Sequence, residues 1–324
     1  MMQFLFHLAL LAGGIVVLLV ASDLLVRGSV GLAERLKIEP LIVGLTVVAF
    51  GTSMPEMFVS AEAVLAGASG IALGNIVGSN TANVLLVLGV SALIYPMSSR
   101  LFGLRSNAIV LALASLAFSG ALYGLGEINF RVGLLLLMAV LGYVVIIGWR
   151  AKSGGELDSF SEELLDIDQG PHDLRKIIPF LLLGLSGLPF GASLIIDHGA
   201  EIARSMHIRE EVIGLSLIAL GTSLPELVTV VASALRKQSD LALGNVVGSN
   251  IFNLLAVGGV AGVVGGAEVS EAGLRFDLPV MLVASGLLVL LVLFGVRLGR
   301  FQGAAFLCAY IAYIGALAHS AGLV

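Results

Sequence analysis

Two glutamates, Glu56 and Glu226, stand in strongly apolar sequence, and each has the same neighbours: Gly51-Thr52-Ser53-Met54-Pro55-Glu56 and Gly221-Thr222-Ser223-Leu224-Pro225-Glu226. A second duplicated motif follows each, Gly74-Asn75-Ile76-Val77-Gly78-Ser79-Asn80 and Gly244-Asn245-Val246-Val247-Gly248-Ser249-Asn250, with Asn83 and Asn253 three residues further on. Glu56 lies one helical turn after Thr52 and Ser53, so all three can face one region, and the same holds for Thr222, Ser223 and Glu226. Ser79 and Asn83 share a helix face, as do Ser249 and Asn253. Neither repeat core contains histidine or cysteine, which argues against zinc, copper or iron. Carboxylate, hydroxyl, amide and carbonyl oxygens suit hard cations, and flexible oxygen coordination suits Ca2+ better than Mg2+. Two ionised glutamates balance one divalent ion or two monovalent ones, so Ca2+ and Na+ (or protons) can compete for one pair. The plain structural alternative is a buried acid hydrogen-bonded between helices. Two acids at matching positions, each beside a proline and hydroxyls, favour function, because polar groups at membrane depth are costly.

These residues need unusual elements to hold them. Pro55 has no N–H, so the Gly51 carbonyl four residues back loses its helical partner, and Gly51 weakens the helix at the same place. A break near mid-span is expected here and again at Pro225. Gly70, Gly74 and Gly78 recur every four residues, a spacing that lets another backbone approach closely. The second copy keeps Gly244 and Gly248 but has Asp240 at the first position.

The chain around these motifs is 58% hydrophobic and 12% charged, with a mean hydropathy of +1.06. Soluble chains carry about twice that charged fraction. Apolar runs long enough to cross a bilayer fall near 4–26, 40–66, 70–95, 107–124, 128–149, 177–200, 212–235, 240–266, 277–296 and 301–320. The expected fold is an all-α polytopic membrane protein with ten transmembrane helices. No basic residue precedes Arg27, so residues 1–20 read as a retained helix rather than a signal peptide. The single cysteine, Cys308, excludes an intramolecular disulfide and is expected to pack in the last span. The formal charge of −5 gives no nucleic-acid footprint.

Alternate breaks between spans hold all but four of the 17 Lys and Arg residues, the exceptions being Arg131, Arg204, Arg209 and Arg275. The positive-inside rule puts the basic set in the cytoplasm and both termini outside. An odd number of helices separates the two motif copies, so they enter the membrane from opposite sides. The halves are then inverted five-helix repeats with broken core helices, an arrangement expected of alternating-access transporters. Residues 1–150 form the first repeat, 177–324 the second, and 151–176 an acidic cytoplasmic linker. Glu62 has Ala232 as its counterpart and reads as peripheral or vestibular. Asp23, opposite Ser193 in the repeat, reads equally as a packing group or an ion contact. Asp197, His198 and Glu201 fall near an outer interface.

The paired Gly-Thr-Ser-x-Pro-Glu and Gly-Asn-x-x-Gly-Ser-Asn motifs resemble those of the cation/calcium exchanger superfamily, in particular its prokaryotic sodium/calcium exchanger branch. The resemblance covers essentially the whole chain. It implies a ten-helix antiporter with four central ion sites, built from Thr52, Ser53, Glu56, Ser79 and Asn83 in one half and Thr222, Ser223, Glu226, Ser249 and Asn253 in the other. It also implies backbone carbonyl ligands for Na+ at Ala49 and Ala219. Some similar exchangers carry aspartate where Asn253 stands, so this cluster has one carboxylate fewer than theirs. Gly78-Ser79 and Gly248-Ser249 favour Na+ over protons as the coupling ion.

The expected function is Na+/Ca2+ antiport in the plasma or bacterial inner membrane, with no prosthetic group and with Ca2+, Na+ and the bilayer as partners. The rivals are a proton- or potassium-coupled divalent-cation antiporter and a cation channel. No His-Glu-x-x-His zinc site or serine triad suggests an enzyme.

Overall fold

The computed structural model describes residues 2–101, 103–153, 171, 173–206, 221–270 and 273–320. Its helices are α1 (Met2–Leu36), α2 (Pro40–Leu65), α3 (Ser69–Ile94), α4 (Leu104–Leu125), α5 (Phe130–Ser153), α6 (Leu174–Ser205), α7 (Leu224–Leu235), α8 (Ser239–Val264), α9 (Gly273–Leu293) and α10 (Arg300–Ser320). Among the described residues nine of these are long and apolar enough to cross a membrane, and α7 is a shorter apolar helix. The remainder of the seventh expected span and most of the 151–176 linker lie outside the described residues. The fold is that of an all-α, multi-pass integral membrane protein.

Hydropathy places the ten elements but shortens two of them. α1 runs for 35 residues and α6 for 32, roughly 50 Å each. The apolar runs at 4–26 and 177–200 stop earlier because Arg27 and Glu201 follow them while the backbone stays helical. The two long helices pack antiparallel: Gly14 meets Gly191, Leu25 meets Gly184 and Gly28 meets Leu181. A Cβ on Gly14 would lie 2.9 Å from the Gly191 carbonyl oxygen, so the glycines permit this backbone contact.

Burial divides the helices into two bodies. A large core gathers α3 with α4, α5, α8, α9 and α10, while Leu18, Ala21, Leu25, Val26, Leu188 and Ala192 of α1 and α6 form a separate cluster that reaches Val43, Val48 and Leu241. The most apolar windows of α3 and α8 are 78% and 89% buried, against 17% and 28% for α1 and α6. The first two are therefore central and the last two mostly face lipid. Exposed side chains such as Leu19, Leu116, Val145, Phe190 and Phe301 suit that surface. Cys308 is on it too, exposed on α10 rather than packed as the sequence suggests. Lipid solvates a thiol on an apolar helix without need of a protein partner.

The two halves are inverted copies, and small contacts carry the symmetry. Counterpart positions differ by 170 residues, as Gly214 does from Gly44. Met97, after α3, forms an isolated bridge with Leu298, before α10. Its counterpart pairs Ala267, after α8, with Ile128, before α5, within the antiparallel strands β1 (Glu127–Ile128) and β2 (Ala267–Glu268).

Inside α2 the expected break is present. The α-helix ends at Thr52, Ser53 adopts φ −82° and ψ 0°, and a new helix starts at Met54 with Pro55 in its first turn. Ser223 has nearly the same backbone, φ −85° and ψ 2°, ahead of Pro225. α3 and α8 carry a second irregularity: each widens into a π-turn, Asn83–Val87 and Asn253–Val257. Such bulges recur at functional sites.

Candidate cation-binding site

Glu56 and Glu226 each fall in the first turn after a break, where the helix N-terminus favours a carboxylate. Both are buried, at 0% and 1% exposure. The two carboxylates lie within electrostatic reach of each other, although they come from opposite halves. Thr52, Ser53, Ser79, Asn83, Thr222, Ser223, Ser249 and Asn253 are all buried as well. Ala49 is buried; its carbonyl accepts the Ser53 N–H at 3.1 Å, and the Thr52 hydroxyl lies 3.4 Å away. Ala219 lies outside the described residues.

Hydrogen bonds tie the broken helices to the central pair. Thr52 of α2 reaches α8, donating to Asn245 Oδ1 at 3.3 Å and lying 3.2 Å from Ser249 Oγ. Its counterpart Thr222 reaches α3, donating to Asn75 Oδ1 at 3.2 Å. Across the middle, Asn253 Nδ2 donates to Ser79 Oγ at 3.1 Å. The sequence spacing therefore brings its candidate residues together, each half leaning on the other.

Asn75 and Asn245 are the residues that motif spacing does not single out. Asn75 also donates to the Glu56 carbonyl at 3.2 Å and to Ser60 Oγ at 3.0 Å, and Asn245 Oδ1 accepts from Ser249 at 3.1 Å. Both follow a glycine in the duplicated motif, so duplication itself was the available signal. They brace the threonines and the Glu56 backbone.

A different set is left without hydrogen-bond partners among the described residues. Within the site its acceptors are Ser53 and Ser223 Oγ, Asn83 and Asn253 Oδ1, and all four carboxylate oxygens of Glu56 and Glu226, with Asn83 Nδ2 and Asn245 Nδ2 as unpartnered donors beside them. The unpartnered acceptors match in the two halves, and every one is oxygen. Asn80 Oδ1 and Asn250 Oδ1 form one more unpartnered pair. An unsatisfied buried polar group costs about 1–3 kcal/mol, more when charged. Cation binding removes that penalty, and a hard cation that takes six to eight oxygens fits the donor set. Among the described residues no group of three or more His, Cys, Asp or Glu side chains gathers. The charge here comes from two carboxylates, with neutral oxygens around them.

The expectation of glycine-mediated packing is met in one half. A Cβ on Gly244 would fall 2.6 Å from the Leu41 carbonyl oxygen, and one on Gly248 would fall 2.6 Å from Ala49 Cβ. Gly70 and Gly74 are exposed, and no described residue crowds them. The residues that correspond to Gly44–Ala49 in the other half, 214–219, are outside the described set. Asp23 is no part of the site. It accepts from Arg236, just after α7, through Nε at 3.0 Å and through Nη2, with Arg27 at 3.8 Å. Neither repeat counterpart, Ser193 or Ala66, can form an ion pair. Glu62 is exposed on α2.

Ten apolar helices in inverted halves, broken in the middle around two buried carboxylates, define a membrane transport protein for cations. The family model for sodium/calcium exchanger proteins matches residues 6–149 and 176–318. The chain belongs to that family. It is 34% identical over 288 residues to the inner membrane protein YrbG of Escherichia coli, covering 87% of both chains. It is 31% identical over 336 aligned residues to the sodium/calcium exchanger MaX1 of Methanosarcina acetivorans, covering 93% of this chain and 95% of the relative. A solved structure of the sodium-calcium exchanger NCX_Mj superimposes with a TM-score of 0.82 at 31% identity, over 97% of this chain and 99% of that one.

Proposed function

We propose that the protein is a secondary antiporter that exchanges Na+ for Ca2+ by alternating access in the plasma or bacterial inner membrane. Both termini lie outside the cytoplasm, and the repeats 1–150 and 177–324 flank an acidic cytoplasmic linker. The observation that carries the reading is the symmetric set of buried, unpartnered oxygens on Ser53, Glu56, Asn83 and their counterparts. Glu56 and Glu226 are the shared, charge-balancing ligands; Ser53, Ser223, Asn83 and Asn253 coordinate beside them. Thr52, Thr222, Ser79 and Ser249 add hydroxyl oxygens, and the Ala49 and Ala219 carbonyls serve Na+ at the ends of the half-helices. Relatives named for Na+ and Ca2+ exchange support the choice of ions.

The charge count supplies the coupling. A charged side chain at mid-membrane costs about 2.5–3.5 kcal/mol on insertion scales. With both carboxylates ionised and no cation bound, the site resists closing away from water. One Ca2+ or two Na+ neutralise the pair and let it close and open to the other side. Ca2+ flux into proteoliposomes under separate Na+, K+ and pH gradients tests the reading. The expected result is flux driven by an outward Na+ gradient. Flux indifferent to Na+ but driven by K+ or protons would reassign the coupling ion, and Ca2+ current without any counter-ion would make the protein a channel.

A further inference from the structure

His7 of α1 and His198 of α6 meet across the long antiparallel pair with their Nδ1 atoms 3.0 Å apart. The rings are 5.2 Å apart between centroids, and Phe6 packs edge-on against both, at 5.6 Å and 6.3 Å. Behind them the contact of Gly14 with Gly191 sets the helix spacing, so two helices in fixed register present the two imidazoles to each other. Both rings are half-buried, and the neighbouring Asp197 and Glu201 are exposed. His7 stands roughly 24 Å along α1 from Asp23, well away from the Asp23–Arg236 ion pair.

Two facing Nδ1 atoms have two ways to avoid opposing lone pairs. One imidazole can take the Nδ1–H tautomer and donate, or both can give their lone pairs to a shared cation. Nitrogens in adjacent positions on a metal with bonds of about 2.0–2.1 Å are about 3.0–3.4 Å apart. The observed separation lies at the lower edge of that range. Imidazole suits zinc, nickel and copper, whereas Ca2+ and Na+ take oxygen ligands. The chemistry of this pair is therefore distinct from that of the central oxygen set.

We propose that His7 and His198 form a two-histidine site for a transition-metal cation of the Zn2+, Ni2+ or Cu2+ class, which clips α1 to α6 at the membrane surface. Among the described residues no third His, Cys, Asp or Glu joins them in a cluster, so water completes the coordination. The inference does not depend on which ions the protein transports.

The test is Ni2+ titration calorimetry on the untagged, detergent-purified full chain, with Ca2+ in excess to occupy oxygen sites. The expected result is one saturable Ni2+ site per chain, lost in His7→Gln and in His198→Gln, with elution profile and helical circular dichroism confirming that each variant is folded. A second readout needs no variant: the electron paramagnetic resonance spectrum of one equivalent of Cu2+ should show coupling to two imidazole nitrogens. Absence of saturable Ni2+ binding to the native chain would overturn the proposal. Binding that survives either substitution, or a Cu2+ spectrum without two nitrogens, would overturn it too, leaving the pair as an interhelical hydrogen bond.

Discussion

At the scale of the residue, the site separates into side chains that hold and side chains that wait. Thr52, Thr222, Asn75 and Asn245 bond across the halves, while Ser53, Glu56, Asn83 and their counterparts keep free oxygens. Two kinds of substitution should then differ. Glu56→Gln or Glu226→Gln removes one of two buried charges that balance the cation, a loss of about 3–5 kcal/mol by analogy with broken buried pairs. Ca2+ affinity, measured by calorimetry, should fall at least about a hundredfold. Asn75→Ala removes a brace for the Glu56 backbone and Thr222 but no charge, and should cost about 1–3 kcal/mol, roughly tenfold in affinity or somewhat more. An Asn75→Ala loss as large as that of Glu56→Gln would contradict this division. The carboxylates and hydroxyls were legible because they repeat beside prolines in apolar sequence. The asparagine braces repeat just as well, yet an amide among apolar residues does not show which oxygen it binds 147 residues away.

At the scale of the element, one local rule does most of the positioning. Proline within an apolar helix leaves a carbonyl unpartnered, so α2 stops at Thr52 and restarts at Met54, which puts Glu56 in a first turn. Pro55→Ala returns the missing N–H and favours a continuous helix by up to about 3 kcal/mol. Its melting temperature should hold or rise while Ca2+ exchange drops by at least about tenfold, because a straightened helix carries Glu56 away from Glu226. Unchanged exchange in a well-folded Pro55→Ala protein would show that the break does not place the carboxylate. The break was readable from Pro55 and Pro225. The π-turns at Asn83 and Asn253 were not, since nothing in Asn-Val-Leu-Leu-Val or Asn-Leu-Leu-Ala-Val marks an extra residue per turn. The lengths of α1 and α6 escaped hydropathy for a related reason. Charged residues end an apolar run without ending a helix, and Asp23 finds Arg236 far along the chain.

At the scale of the whole molecule, inverted symmetry is clear and incomplete. The bridges Met97–Leu298 and Ala267–Ile128 and the bonds Thr52–Asn245 and Thr222–Asn75 obey it. The Asp23–Arg236 tie has no mate, since Ser193 and Ala66 stand at the counterpart positions. The α1–α6 pair, lying against a separate core, is held to α7 by that tie. Duplication and the odd helix count made the symmetry readable in the sequence; the asymmetry belongs to tertiary packing, which no motif records. The central claim is that one pair of carboxylates serves both ions in turn. It is tested most directly by Ca2+ titration calorimetry on the purified protein at rising Na+, with K+ as the control. Na+ should weaken apparent Ca2+ affinity more steeply than in proportion to its concentration, K+ should not, and Glu56→Gln/Glu226→Gln should bind neither ion. Ca2+ affinity that does not change with Na+, or Ca2+ binding that survives the double substitution, would contradict it.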